Sequence, residues 1–482
     1  MEPFGNFIAG AWRPAATGES FEDRNPADVE DCLGRFPASG AEDAERAVAA
    51  VAAAWPSWAA TAPEARAEVL RRTADIIAAR TGDLARELTR EEGKTLEEAT
   101  GEVRRTAANF RLYAGEALHL YGETYPTDGG QLACTLRTPV GVVVAITPWN
   151  FPVSIPARKL GPALAAGNCV VFKPSEISPL MGHRLVEALL EAGLPPQTIA
   201  LVHGKGSALG AALVRAPGVG AVTFTGSYAV GAAIQRTIGP DRRCQLEMGG
   251  KNPAIVFADA DLDKAAAIIL RGAFGLAGQA CTGTSRVLVE ASLHDALLQR
   301  LVAAAEAMTV GDGLGAGVKM GPLATAAQLD KVLTYIRRGQ KEGAVLVAGG
   351  DRPAGAAYAR GHFIRPTIFA EVPPQSCLAR EEIFGPVLAV QRISGLDEAI
   401  RLANDVEYGL AAAIVTRDLA QALRFAREVD AGIVKVNSPT TGVALNAPFG
   451  GLKHSSNQAA KEQAGATVMD FYTHLKTVYL AA

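Results

Sequence analysis

The segment Val140-Gly-Val-Val-Val-Ala-Ile-Thr-Pro-Trp-Asn150 decides the fold. It is an apolar, β-branched run of strand length, stopped by proline and followed at once by polar groups. Outward from it the same grammar recurs. Residues 168–173 read as a second strand, followed by a helix over 178–192. Residues 198–203 read as a third, entering a helix through Gly204-Lys-Gly206. Residues 221–225 read as a fourth, turning at Gly226-Ser227 into another helix. Continuous apolar strands alternating with helices specify a parallel, doubly wound sheet, so the fold class is α/β. Ligands of such sheets sit at the carboxyl ends of the strands. Residues 147–152, 173–176 and 226–227 all fall there.

The flanks are simpler. Residues 1–40 read as short strands and turns. Residues 41–121 read as helices, with Ala44, Val48 and Val51 at helical spacing and one helix ending at Gly93. Residues 131–139 form a polar, extended ribbon able to pair with another subunit. A second α/β alternation follows a crossing point at 247–252. It has a strand at 253–259, helices at 293–308 and 328–342, and strands at 345–347, 411–416 and 432–436. Residues 471–480 alternate as a last strand.

The chain has 482 residues, too many for one simple core, and is 49% hydrophobic and 20% charged with a net charge of −3. Nothing in that balance points to nucleic acid. No apolar run reaches the ~18 residues of a membrane span. The N-terminus lacks the basic and apolar regions of a secretion signal. The six cysteines (32, 134, 169, 244, 281, 377) are scattered without a CxxC pair, which argues against a disulfide framework and against a metal cluster. A reducing cytoplasm is the expected compartment.

Several strand-end stretches carry chemistry. Gly278-Gln-Ala-Cys281-Thr sits where a helix gives out before a strand at 285–289, so its thiol can face a cleft that stabilises a thiolate. In 147–152 (TPWNFP), the Asn150 amide is a neutral donor suited to a developing oxyanion. In 173–176 (KPSE), a lysine and a carboxylate can grip ribose hydroxyls. Thr225-Gly-Ser227 opens a helix, where free N–H groups suit a pyrophosphate. The strict GxGxxG fingerprint is not met, since the third glycine after Gly204 and Gly206 is Gly210. Glu247, ending a strand, can act as general base on water. Glu382-Ile-Phe-Gly-Pro386 offers a carboxylate and a ring to a ribose and a flat heterocycle. Each stretch alone is also compatible with an ordinary cap, turn or ion pair.

Together these motifs resemble the aldehyde dehydrogenase superfamily. TPWNFP, KPSE, FTGS (224–227), LEMGGKNP (246–253), GQACT (278–282), EEIFGPV (381–387) and PFGG (448–451) occur in that family's order, over essentially the whole chain. The resemblance implies an NAD(P)-binding domain at 1–119 and 140–249 and a catalytic domain at 250–464. It implies an oligomerisation ribbon and tail at 120–139 and 465–482, joining a homodimer or homotetramer. It implies Cys281 as nucleophile, Glu247 as general base and Asn150 as oxyanion donor. It further implies Trp149, Lys173, Ser175, Glu176, Gly226, Ser227, Glu382 and Phe384 as cofactor contacts, and no metal. Glu176 would accept a ribose 2′-hydroxyl and crowd a 2′-phosphate, which favours NAD over NADP.

For the substrate, Arg158 and Phe151 are the candidates. Arginine can hold a carboxylate bidentately. An arginine eight residues after Asn150 resembles members that oxidise carboxylated semialdehydes. The segments 281–286 and 448–456 resemble the α-ketoglutaric semialdehyde (2,5-dioxopentanoate) branch, with succinate-semialdehyde dehydrogenases as the nearest competitor and neutral or aromatic aldehydes as a further alternative. The stretch Asn457-Gln-Ala-Ala-Lys-Glu462 departs from that branch, which leaves its local loop open. Among rivals, a CoA-acylating enzyme would lack Glu247. A cysteine hydrolase would want a histidine in these motifs, and a non-catalytic scaffold would not need Cys281, Asn150 and Glu247 together.

Overall fold

The computed structural model describes residues 3–463 and 465–481; the domain boundary expected at residue 464 and the chain end at 482 lie outside them. The chain opens with a hairpin, β1 (Asn6–Ile8) and β2 (Ala11–Arg13), and a separate pair, β3 (Ser20–Arg24) and β4 (Cys32–Pro37). Four helices follow: α1 (Ala41–Ala59), α2 (Pro63–Ala79), α3 (Thr81–Glu92) and α4 (Leu96–Glu116). Gly93 ends α3 with φ +96, the left-handed conformation that glycine adopts without steric cost. After the short strands β5 (Thr124–Tyr125) and β6 (Leu132–Pro139), the βα alternation begins. It runs β7 (Val142–Ile146), α5 (Ser154–Ala165), β8 (Cys169–Lys173), α6 (Pro179–Glu191), β9 (Ile199–Leu201), α7 (Gly206–Arg215), β10 (Val219–Thr225), α8 (Tyr228–Thr237) and β11 (Arg243–Glu247).

The first sheet has seven strands in the order β11-β10-β7-β8-β9-β1-β2. The five strands from β11 to β9 are parallel, and β1 pairs antiparallel with β9, leaving β2 at the edge. Every residue of β7 and β8 is buried, which is why both read as unbroken apolar runs. α1 packs over β7, β8 and β9, while α5 packs on β7 and β8 and against α4.

The second sheet begins with β12 (Asn252–Val256), α9 (Leu262–Phe274) and β13 (Thr284–Glu290). Strands Val345–Ala348, Thr367–Ala370, Val387–Ile393, Ala411–Val415 and Ile433–Val436 complete it. Reading from its outer strand Val345–Ala348, β13 and β12 lie at the centre. All pairings are parallel except that of the outer strand. Each sheet has its own buried apolar core.

A third, small sheet joins Thr473–Leu480 to the whole length of β6 and β6 to β5. The final strand begins later than the alternation from 471 predicts. Phe471 and Tyr472 end a helix, Gly465–Tyr472, and both are buried in the core of the first sheet. Tertiary burial outweighs local β propensity there.

The α4–α5 contact carries the loop before α5 and is closely fitted. A Cβ placed on Gly161 would stand 2.7 Å from the Tyr113 ring. Gly161→Val is expected to destabilise by about 1–3 kcal/mol through overpacking, read as a lower urea midpoint at unchanged slope. An unchanged midpoint would show that the two helices tolerate a wider spacing.

Candidate active site

The two large sheets present opposite edges to one another. The first offers carboxyl ends: Thr147 to Asn150 after β7, Lys173 to Glu176 after β8, Gly226-Ser227 after β10 and Glu247 at the end of β11. The second offers amino ends: Cys281 ahead of β13, and Glu382 to Phe384 ahead of Val387–Ile393. Only the short span 248–251 separates β11 from β12, so Glu247 lies at the crossing between them.

The cysteine turn is strained and tightly held. α9 stops at Phe274, and Leu276, Ala277 and Gly278 all take left-handed backbone, with φ of +52, +51 and +70. Such conformations persist in non-glycine residues only where the surroundings enforce them. Here the Leu276 N–H donates to Glu98 Oε1 at 2.7 Å, and the Gln279 side chain accepts from the Ala324 N–H at 2.9 Å. Asn252 Nδ2 donates to the Cys281 carbonyl at 2.8 Å and to the Gly283 carbonyl at 2.9 Å. Asn150 Nδ2 reaches across from the first sheet and donates to the Gln279 carbonyl at 2.8 Å. The structure thus brings Asn150 and the Cys281 turn together. Phe151 turns its ring toward Lys94, whose Nζ lies 4.8 Å from the ring centroid.

The electrostatics differ from the expectation of a stabilised thiolate. Cys281 is only partly exposed. Burial first, then the carboxylates of Glu462 and Glu382, push its thiol up to about 12; Arg158 is the cation that opposes them. Burial is the largest cause, and the carboxylates acting on the thiol outnumber the cations. Glu247 is buried, and neither carboxylate oxygen has a hydrogen-bond partner. Burial, then Glu462, hold it well above the usual carboxylate range.

Lys159 and Glu462 escaped the sequence reading. Glu462 is buried 2.7 Å from Lys159 Nζ, and its Oε1 accepts the Thr225 hydroxyl at 2.6 Å. Burial opposes its ionisation, but Lys159 and then Arg158 outweigh it and keep its pKa low. The segment 457–463, left open by its departure from the family pattern, docks on β11. Gln245 Nε2 donates to the Lys461 carbonyl at 2.6 Å, and the Leu246 N–H to Asn457 Oδ1 at 3.2 Å. The buried lysine on α5 was a possible signal, but an internal lysine has many uses.

Arg158 is buried, 3.8 Å from Glu462, with its guanidinium 5.4 Å from the centre of the Phe449 ring and its Nε unpartnered. The ion pair weighed against a substrate role is therefore present, yet it leaves donor capacity unused. A second guanidinium, Arg105 of α4, feels the charge of Arg158 and donates to the Val443 carbonyl at 2.9 Å.

The expected cofactor positions have matching chemistry. Lys173 Nζ is 3.6 Å from Glu176 and donates to the Pro174 carbonyl at 2.9 Å; Ser175 Oγ accepts from the Ile177 N–H at 3.2 Å. Ser227 starts α8 exposed, with no side-chain cap bond, so the first N–H groups of that helix stay open. A Cβ on Gly226 would meet the Phe224 ring at 2.5 Å. Glu382 accepts the Gly250 N–H at 2.9 Å, and a Cβ on Gly249 would collide with its carboxylate at 2.2 Å. Phe384, at φ +60, sets its ring edge-on to Trp149, 5.4 Å between centroids. A cation–carboxylate pair, an open helix start, a carboxylate and two rings fit a dinucleotide.

Fold and motif order together define a class, the two-sheet α/β oxidoreductases of aldehyde dehydrogenase type. The chain belongs to the aldehyde dehydrogenase family, whose model matches residues 12–478. It is 44% identical over 477 residues to the alpha-ketoglutaric semialdehyde dehydrogenase of Bacillus subtilis, covering 98% of this chain and 97% of that one. It is 42% identical to the 2,5-dioxopentanoate dehydrogenase of Saccharolobus solfataricus, covering 98% of each. Among solved structures it superposes on the NAD-dependent aldehyde dehydrogenase of Sinorhizobium meliloti with a TM-score of 0.95 at 36% identity, over 99% of this chain and 95% of that one. It superposes equally, at 0.95 and 34% identity over 98% and 94%, on a betaine aldehyde dehydrogenase of Staphylococcus aureus in complex with NAD+.

The raised thiol makes a direct prediction. In cofactor-free protein, alkylation of Cys281 by iodoacetamide, followed by mass spectrometry, is expected to keep accelerating from pH 7 through pH 10. The thiolate is the reactive form, and its population at fixed pH falls as the pKa rises to about 12. A plateau reached below pH 8 would contradict this.

Proposed function

We propose that the protein oxidises an aldehyde to a carboxylic acid through Cys281, using NAD. The observation that carries the reading is the direct bond between the Asn150 amide and the Cys281 turn, with the unpartnered carboxyl of Glu247 in the same buried field. The Cys281 proton passes to solvent and its sulfur bonds to the aldehyde carbon; the carbonyl π electrons move to oxygen. Asn150 and the Cys281 N–H would hold that oxyanion. Lys173, Ser175 and Glu176 would bind the adenosine ribose, and Trp149, Gly226 and Ser227 the pyrophosphate. Glu382 and Phe384 would hold the nicotinamide end. When bound there, the oxidised nicotinamide supplies a two-electron acceptor for the hydrogen leaving the adduct carbon. Cys281 is left as a thioester, and Glu247 takes a proton from the water that attacks it. The carbon–sulfur bond breaks, the acid departs and the thiol recovers its proton. Its raised proton affinity makes the ionised Glu247 a stronger base toward that water.

The substrate we infer is a carboxylated semialdehyde, with 2,5-dioxopentanoate first and succinate semialdehyde next. Two relatives above 40% identity carry the first name or its synonym, and Arg158 keeps an unpartnered buried donor. A second reading, a neutral or aromatic aldehyde, is favoured by the Glu462 counter-charge already beside Arg158. Glu176, 3.6 Å from Lys173, favours a free 2′-hydroxyl and so NAD over NADP. Leu132, Leu136, Leu475 and Tyr479 leave the third sheet apolar and exposed, which supports a homo-oligomer formed through that ribbon. No helix among the described residues is long and apolar enough to cross a membrane, and a cytoplasmic setting is our proposal.

The test is reduced-nicotinamide absorbance with NAD or NADP and a panel of 2,5-dioxopentanoate, succinate semialdehyde, pentanal and benzaldehyde. The signal is expected mainly from the carboxylated pair and is expected to vanish in Cys281→Ala. Arg158→Leu should lower kcat/KM for 2,5-dioxopentanoate by about 30-fold or more, the scale of a lost buried charge contact of about 2–5 kcal/mol, and spare pentanal. Equal losses on both would transfer the substrate assignment to the neutral-aldehyde reading.

A further inference from the structure

The start of α4 touches both halves of the site. Thr95 caps the helix, and its N–H and hydroxyl each lie 2.9 Å from Glu98 Oε2. The other oxygen of Glu98 accepts the Leu276 N–H at 2.7 Å, the entry to the left-handed run before Cys281. One residue before the cap, Lys94 is fully buried. Its Nζ lies 2.5 Å from Glu102 Oε2 and donates to the Asn150 carbonyl at 2.7 Å. Glu102 Oε1 in turn accepts the N–H groups of Val153 and Ser154 at 3.1 Å each.

These contacts close a circuit. Lys94 holds the backbone of Asn150; the Asn150 side chain holds the Gln279 carbonyl. The Gln279 N–H returns to the Leu276 carbonyl at 3.0 Å, and Leu276 is held by Glu98, four residues along from Lys94. The corner is clamped from the second sheet's side as well. The Leu96 N–H donates to the Gly313 carbonyl at 2.9 Å, and a Cβ on Gly321 would stand 1.9 Å from the Gly93 carbonyl oxygen. No other segment among the described residues bonds both to the Asn150 backbone and to residues 276–279 with its side chains.

We propose that Lys94 and Glu98 are positioning residues that fix the Asn150 amide relative to the Cys281 turn. This rests on the roles given above to Asn150 and Cys281. Neither residue touches the reacting atoms. Each acts through a backbone group of the loop it holds. A buried ammonium aimed at a carbonyl, where an aliphatic side chain would pack at lower desolvation cost, is a device for fixing geometry. The carboxylate of Glu98 supplies the acceptor that the Leu276 N–H needs in its left-handed setting.

The test is steady-state kinetics on the full enzyme, normalised to titratable Cys281 thiol, with circular dichroism for folding. Lys94→Met is expected to lower kcat about 100-fold, the scale of a small misplacement of a catalytic group. Its KM for NAD should stay within about twofold, as expected for loss of an interaction expressed in the transition state. Combining it with Asn150→Ala should cost no more than about threefold beyond Asn150→Ala alone, since coupled residues are not additive. Glu98→Gln, which keeps an acceptor oxygen, should stay near wild type while Glu98→Leu falls with Lys94→Met. If Lys94→Met does not fold, the Glu98 pair decides. Multiplicative losses in the double variant, or unchanged kcat in Lys94→Met and Glu98→Leu beside a crippled Asn150→Ala, would overturn this proposal alone. An unchanged kcat in Asn150→Ala would overturn the parent reading with it.

Discussion

The 2.8 Å hydrogen bond from Asn150 Nδ2 to the Gln279 carbonyl joins two separately cored sheets at the turn that carries Cys281. One partner follows a parallel strand; the other precedes one. Strand ends are where backbone groups run out of ladder partners, so they accept side-chain bonds. Bringing a carboxyl edge against an amino edge lets each sheet lend polar loops while keeping its strands dry. The short link between β11 and β12 makes that meeting obligatory and places Glu247 at the join.

Burial sets the electrostatic character of this seam. Glu247, Glu382 and Glu462 share it with Arg158 and Lys159, and only Glu462 has a close cationic partner. Glu462 is therefore held below the usual carboxylate range, while burial raises the proton affinity of Glu247 and of the Cys281 thiol. Desolvation decides the outcome. A buried charge costs several kcal/mol after relaxation unless it is paired, and about 2.7 Å to Lys159 is pairing enough for one carboxylate only. Behind the loop the same rule holds again. Burial lowers the proton affinity of Lys94, but Glu102 and Glu92 outweigh it, and Glu92 is raised to about 8 by burial first and by Glu102 and Glu98 after it.

Most of the framework is readable from local pattern. The unbroken apolar runs of β7 and β8 gave the parallel sheet, and Gly93 gave the end of α3. What escaped is what depends on distant contacts. The hairpin of β1 and β2 joins the first sheet through an antiparallel contact with β9, nearly the whole domain later in sequence. Phe471 and Tyr472 alternate like a strand, yet the core takes them as the end of a helix. In the site, the motif residues were visible because they sit beside glycine and proline at strand ends. Lys159, Glu462, Lys94 and Glu98 were not. Lys159 and Glu98 lie inside helices, Glu462 in an irregular tail and Lys94 in the turn after Gly93, and nothing in their neighbours' identities reveals that they converge.

The strain at Leu276 and Ala277 shows why that convergence matters. Left-handed backbone at a non-glycine residue costs about 1–2 kcal/mol, and two occur in succession just ahead of Cys281. A turn under that load relaxes unless its N–H and carbonyl groups are held in place. Here they are, by Glu98, Asn150, Asn252 and the Ala324 contact of Gln279, drawn from both halves of the molecule. The turn can therefore keep its geometry only when the two sheets are docked, which makes the competent arrangement of Cys281 a property of the assembled fold rather than of its own segment.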